Sequence, residues 1–484
     1  MATVKIDKFG GIVPRTSPSL LPDGAATAAH NCRLESGKLV PLREPSFVED
    51  TEHTVYHENG LREIYDADSL YCWKHTLKDG TVRTDFLAFP GRVYFTHGNI
   101  ADDERDRIFV TGDTGVSFVA SNGEQTENCP AAYLFDREGG DIFRHCIVKE
   151  PLEAPRASVD SIPEGAEIVD SYFFFSWYDT YGYESPASPP SRNKNAGNTS
   201  YVDAPLTHDA NGVVTFQPIH LPPGAVGVRI YKTNSGDETD NNQLIHEFGP
   251  GEIRIVETPF TLRMDDVQAA ETMPEIEAPP VDLVDMTFVP GNYYAGRARS
   301  MPHTVLFSDV DNPTNWPTAF RYDVRDNVVK LAVTSNSVVA LTDGTPFVLS
   351  GTAPESMTVA SLATPAACVS ERSVVVHRNV VYFASNDGLM AIADGAGAGS
   401  SCQNVTEAYL TPDQWQGLNP ASCIVGVHRD ALHMFFHRKD GTPVNMRFDI
   451  REGANALTTH DEEARCVVVD HRSGKMYFVR REGV

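Results

Sequence analysis

Three places in the chain bring reactive residue types together at a spacing that chemistry uses. Ser385-Asn386-Asp387-Gly388-Leu389 begins like the Asp box of sialidases, but Leu389 stands where that motif needs Gly or Thr, so the stretch reads as an Asp-Gly hairpin turn. Ser308-Asp309-Val310-Asp311-Asn312 has the carboxylate spacing of a calcium loop. Pro313 follows where a coordinating acid belongs, and the glycine and distal glutamate are missing, so an Asx turn before proline is expected. His433 and His437 lie four apart, as in a helical zinc motif, yet Met434 occupies the glutamate position and the segment reads as a strand. Four residues along a strand separate the rings by about 13 Å, too far for one metal ion. No nucleophile elbow, Walker loop or dinucleotide fingerprint precedes a helix. The 66 Asp and Glu leave room for a glycosidase pair, but nothing singles one out. The sequence therefore offers no catalytic, cofactor-binding or metal-binding residue, and the chain is not expected to be an enzyme.

The elements that would carry such residues are short β runs rich in Val, Phe, Tyr and Thr, bounded by Gly, Asn, Asp and Pro. Helical periodicity is scarce. One short helix is expected from Thr411, with Thr as cap, Pro412 first inside and Gln414 closing a capping box, lasting to about Gly417. From about Asp285 one unit recurs: a β run, a tight turn, a second run, and often an Asp-Gly turn with a third. The first turns fall near Gly291, Asn336, Asn379, Asp430 and Gly474, at spacings of 43 to 51 residues. That period, with three or four strands per unit, is the mark of β-propeller blades. The region before about residue 150 holds similar pieces, so six or seven blades are expected, closed by joining N- and C-terminal parts.

The middle segment breaks the rhythm and ends in the acidic, Pro-rich stretch Glu275–Leu283. Six or seven strands over about 115 residues fit an immunoglobulin- or fibronectin-III-like β-sandwich. The expected organisation is 1–155 for the N-terminal segment and first blades, 156–280 for an inserted sandwich, and 281–484 for the remaining blades. Trp316 and Trp415 are expected to be buried in blades. The formal charge is −26, and residues 156–280 contribute 7 basic against 19 acidic side chains. Such a balance opposes tight, salt-sensitive binding of nucleic acid phosphates. The eight cysteines form no C-x-x-C pair and read as reduced, mostly buried thiols of a protein that folds in a cytoplasm. No run long enough to span a membrane is present, and the N-terminus lacks a signal-type apolar core.

Several stretches resemble the tail nozzle (hub, or tail tubular) proteins of short-tailed bacteriophages and related prophages. They are residues 5–45, the Tyr-Asp…Glu-Ser-Pro…Pro-Pro-Ser run at 178–191, RIYKTNSG at 229–236 and FSDVDNPTNWP at 307–317. LTDGTPFVLSGTAPESM at 341–357, ACVSERSVV at 367–375, YFASNDGLMAI at 382–392 and LTPDQW at 410–415 complete the set. The resemblance implies a structural virion protein: a homohexameric ring below the portal and adaptor, contacting other tail proteins, that retains phage DNA and passes it during ejection without sequence-specific binding. It implies a place in the virion tail, after assembly in the bacterial cytoplasm, and supplies no catalytic residue or cofactor. Phe9, Gly10, Gly11, Pro14 and Arg15 are candidate assembly contacts. A host-surface glycan-binding or glycan-cleaving tail protein is the alternative. If DNA runs through the propeller lumen, that lumen should be net acidic or neutral.

Overall fold

The computed structural model describes residues 8–35, 38–46, 55–56, 67–76, 80–99, 107–114, 118–119, 125–126, 131–136, 140–145, 150–222, 224–238, 241–264, 271–393, 401–451, 456–470 and 473–480. Among them, seven small sheets, antiparallel apart from the parallel pairing of Val55–Tyr56 with Val82–Phe89, follow one another around a central tunnel and form a β-propeller. Their inner strands are Ser69–Thr76, Val93–His97, Leu283–Val289, Val328–Val333, Val375–His377, Ile424–His428 and Cys466–Asp470, taken as blades one to seven. Blades two to six have four described strands each, blade one has three and blade seven has two. The turn residues read from sequence do the expected work. Arg378-Asn379 and Arg429-Asp430 both take two consecutive positive φ values, the tight hairpin geometry that matches strand twist, and Asp387-Gly388 joins Val380–Ala384 to Leu389–Ala393.

Blades stick together through the alternate faces of their strands. Leu432, Met434 and Phe436 point towards blade five with Trp415, while Phe435 on the other face meets Phe478 of blade seven. Trp316 and Trp415 are each 1% exposed, as expected, and donate their indole N–H to Pro313 O at 2.9 Å and Ser385 O at 2.8 Å. Trp415 rides on helix Pro412–Gly417, whose Thr411–Gln414 capping box is fully formed. The ring closes where blade one meets blade seven, Leu70, Phe86 and Ala88 packing with Cys466, Val479 and Tyr477. The N-terminal segment then straps blade six: Ile12 N–H donates to Leu457 O, Asn31 N–H to Thr459 O, and Ile12 and Ala29 enter the core between blades five and six.

Between blades two and three the chain leaves the ring and builds a β-sandwich. Its sheets are Arg192–Lys194, Arg156–Ser158, Val213–Phe216 and Phe260–Arg263 against Phe173–Tyr178, Gly227–Thr233 and Asn242–Phe248. A separate two-stranded antiparallel sheet pairs Ile168–Ser171 with Leu206–Asp209. Nine strands are present rather than the six or seven expected, because three- and four-residue strands such as Arg156–Ser158 leave no periodic signal. The Ser-Pro run has a physical purpose. Ser185, Ser188 and Ser191, three apart, accept the N–H groups of Trp177, Phe175 and Phe173 at 2.9–3.0 Å on their side-chain oxygens. Their own N–H groups donate to the carbonyl oxygens of the same three residues. An extended Pro-containing segment thus seals the open edge of the most apolar strand in the chain.

Candidate functional site

The concave feature shared by all blades is the tunnel, with a volume of about 770 Å³. Its wall is set by the alternation of the inner strands: Phe95, Phe288, Val333, Val376, Val427 and Val469 make most of it apolar. Charged groups gather at the other end, at or just before the first residues of the inner strands. They are organised by the 3-10 turn Glu371–Ser373 that leads into blade five.

Glu371 reaches across to blade two, where its carboxylate accepts from Arg92 Nη1 and, at 2.6 Å, from the Tyr94 hydroxyl. Arg297 Nη2 of blade three lies 3.4 Å from the same carboxylate. The next residue turns the other way. Arg372 Nη1 donates to Arg465 O of blade seven at 3.0 Å, and its Nη2 lies 3.6 Å from Asp68 of blade one, which also holds Arg465 Nε at 3.1 Å. Ser370 Oγ donates to Cys423 O at the entry of blade six at 2.7 Å. Blade four joins through Asp285, which is fully buried in a bulge of blade three with φ +59°. It accepts the Leu331 N–H at 2.6 Å and pairs with Lys330 Nζ. Lys330 and Arg297 sit over the Tyr94 ring, with Nζ 4.5 Å from its centroid. Burial, and then the Asp285 charge, push the Tyr94 phenol far up, so it stays a neutral donor. Four residues, Ser370 to Ser373, therefore touch or brace every other blade directly or through one partner.

This arrangement binds the blades to one another. Both tunnel carboxylates, Asp68 and Glu371, are committed to arginine. The lining carries Arg92, Lys330 and Arg372 against those two acids, and the third base, Lys330, is paired with Asp285 directly behind the wall, so these charges balance. Five-residue inner strands span about 17 Å at 3.3 Å per residue, and the tunnel volume then corresponds to a bore of about 8–11 Å. A duplex with grooves about 8.5 and 7.5 Å deep is at least about 16 Å wide. The lumen of a single chain is therefore narrower than a duplex.

The other sequence-stretch expectations resolve locally. Ser308–Asn312 forms an Asx turn in which Asn312 Oδ1 accepts the Thr314 N–H at 3.1 Å. His433 and His437 lie on the strand Ala431–His437, and no group of three or more metal-ligating side chains occurs among the described residues. The six described cysteines are free thiols, and burial pushes Cys72 and Cys368 up to about 12, out of the reactive range; the side chains of Cys129 and Cys146 lie outside the described residues. Gly11, Pro14 and Arg15 are engaged within the chain. A Cβ on Gly11 would sit 2.5 Å from Leu457 O, Gln414 donates to Pro14 O at 2.9 Å, and Arg15 N–H donates to Tyr409 O. Phe9 and Gly10 are half-buried, and Gly10 N–H donates to Gly24 O.

The sequence reading did not single out Glu371, Arg372, Arg92 or Asp285. The available signal was a Ser-Glu-Arg-Ser run placed between two strands, and one aspartate inside the apolar run Leu283–Val289.

No family model matches this sequence, and no curated protein does. Among solved structures the chain is similar to Hsv2 of Kluyveromyces lactis, at 10% identity over 54% of this chain and 64% of that one, with a TM-score of 0.26. It is similar to the N-terminal domain of Nup159 (10% identity, 65% of this chain and 71% of that one, TM-score 0.26). It is also similar to AztD from Citrobacter koseri (10% identity, 61% and 96%, TM-score 0.24). The chain spans about 60% of the length of the Hsv2 chains it matches. No helix among the described residues is long and apolar enough to cross a membrane.

Proposed function

We propose that this chain is a structural virion protein, the tail nozzle of a short-tailed phage or prophage, acting as a homohexameric ring below the adaptor. The observation that carries this reading is the cross-braced tunnel: the stretch ACVSERSVV, one of those by which the chain resembles tail nozzles, is the segment whose Glu371 and Arg372 tie the blades together. A propeller locked in this way is a rigid block for building a ring. The DNA conduit then lies on the axis between copies, since the lumen of one copy is too narrow for a duplex. The acidic character of the chain, −26 overall, suits a wall that repels phosphates and lets a duplex slide. Adaptor and other tail proteins are the partners, and no cofactor takes part. Affinity labelling of a tagged chain in particles of the encoding phage tests the reading. Label at the distal end of the tail stem is the expected result, and label on the capsid, on lateral fibres, or absent from particles contradicts it. Turnover of host polysaccharide by the isolated chain would favour a glycan-cleaving tail protein instead.

A further inference from the structure

Blade six carries a row of histidines on one face. Its strands are Ile424–His428, Ala431–His437, Pro443–Asp449 and Ala456–His460. Leu432, Met434, Met446 and Phe448 point to blade five, so alternation puts His428, His433, Arg447, Asp449 and His460 on the opposite face. The imidazole centroids lie 6.2 Å apart from His428 to His433 and 5.5 Å apart from His433 to His460. His433, His460 and Arg447 are buried, and Arg447 stands directly opposite His433 in the ladder. His437 lies two residues beyond Phe435 on the same face.

Two elements pack against this face. Blade seven brings apolar groups: Val467 and Met476 close over Gly426, and Phe478 meets Phe435. The N-terminal strap brings charge. Its strand Cys32–Glu35 runs beside Ala456–His460, and Arg33 acts as a like charge on Arg447 and His428. The acids here are already shared. Asp449 pairs with both Arg447 and Arg451, Asp461 with His30 and Asn31, and Glu462 with Arg480. The face therefore favours neutral imidazoles. Burial acts first on each, followed by the positive neighbours: His460, Arg447 and His428 on His433, Arg429, Arg447 and Arg33 on His428, and Arg447 and His30 on His460. All three are held below the ordinary histidine range, His460 at about 4, with Asp461 and the Met446 backbone pulling it back up.

We propose that this row is an acid-triggered latch: protons taken up by His428, His433 and His460 release the strap at residues 30–42 from blade six, while the ring of blades stays closed. The two covers differ in what holds them. Blade seven adds no like charge to the row and is tied to blade one through Leu70, Phe86 and Tyr477. The strap adds Arg33 and is held here by polar contacts, Asn31 N–H to Thr459 O and Arg451 to Leu34 O among them. Lifting it removes a like charge and lets water reach the imidazoles, so the lifted form binds protons more tightly and acid favours it. The docked form is complete above about pH 6.5 and is lost as pH falls towards 4. The His30–Asp461 pair opposes release as His30 becomes charged, but its side chains are 51% and 70% exposed, so solvent screens it. Ile12 and Ala29, in the core between blades five and six, keep the rest of the strap in place. The latch adds a regulation to the fold and does not depend on the tail-protein reading.

Hydrogen exchange read by mass spectrometry, corrected for its intrinsic pH dependence, tests it at residues 30–42 and 424–436 between about pH 7 and about pH 4. In the wild type the strap should lose at least about tenfold in protection while 424–436 keep theirs. The double variant His433→Gln, His460→Gln should hold the strap at the acid end. Arg33→Gln, at a half-buried position on the strap, should move opening to lower pH, and it tests the same charge if the histidine variant fails to fold. Arg33→Lys should open like wild type. A strap that stays protected throughout, loss at 424–436 in step with it, or opening at the wild-type pH in Arg33→Gln or in a folded histidine variant overturns the latch.

Discussion

Replacing Glu371 by alanine should loosen the whole propeller, although the residue lies in a three-residue turn far from any blade core. Its side chain is 12% exposed and serves Arg92, Tyr94 and Arg297 on two other blades. Arg92 is half exposed and regains water when its partner goes, so its loss contributes about 1 kcal/mol at most. Arg297 is 17% exposed and retains only Asp285, 3.9 Å away, as a nearby carboxylate. The Tyr94 hydroxyl loses a charge-assisted acceptor worth about 1.5–3 kcal/mol. Together the cost should be about 3 kcal/mol. At about 2 cal/mol/K of unfolding entropy per residue over roughly 350 propeller residues, that lowers the melting temperature of the propeller by about 4 °C. Calorimetry of Glu371→Ala, Arg92→Ala and the double variant separates brace from background. The double variant should melt within about 1 kcal/mol of Glu371→Ala, since the second change removes a group already idle. Wild-type melting of Glu371→Ala, or strict additivity with Arg92→Ala, would refute the claim that this turn braces the ring.

Trp316→Ala and Trp415→Ala should each cost about 3–5 kcal/mol, read as a fall in denaturant midpoint, because both indoles are buried and hydrogen-bonded. Gly11→Ala should release the N-terminal strap and expose it to limited proteolysis, since φ there is +80° and the new Cβ meets Leu457 backbone. Ser188→Ala should destabilise the sandwich by about 1 kcal/mol by stripping the Phe175 N–H of its side-chain acceptor. Burial holds His460 down at about 4, against about 6.5 unfolded, so stability present above pH 6.5 drains away as pH falls towards 4, by up to about 3 kcal/mol. His460→Gln should flatten that part of the urea midpoint's pH profile, and an unaltered profile would contradict it.

The blades were legible because their chemistry is local and repetitive. The Asp-Gly turns, the Arg378-Asn379 and Arg429-Asp430 hairpins and the alternation in Ala431–His437 each state their geometry within a few residues. The capping box at Thr411 was readable for the same reason. The tunnel network was not. Glu371 and Arg92 are 279 positions apart, and neither belongs to a motif, so only the ring geometry brings them together. The size of the lumen is set by the number and tilt of blades, which no single segment encodes. The Ser185–Ser188–Ser191 spacing was visible, yet its meaning depends on lying beside the edge of Phe173–Tyr178.

Three-dimensional reconstruction of the tail of the encoding phage by electron cryomicroscopy is the most direct test of the central claim. It should show six copies of this propeller in one ring below the adaptor, an axial opening wide enough for duplex DNA between copies, and each propeller's own tunnel still crossed by Glu371 and Arg372. A tail stem in which this chain is absent, or present as single copies outside the DNA path, would contradict it.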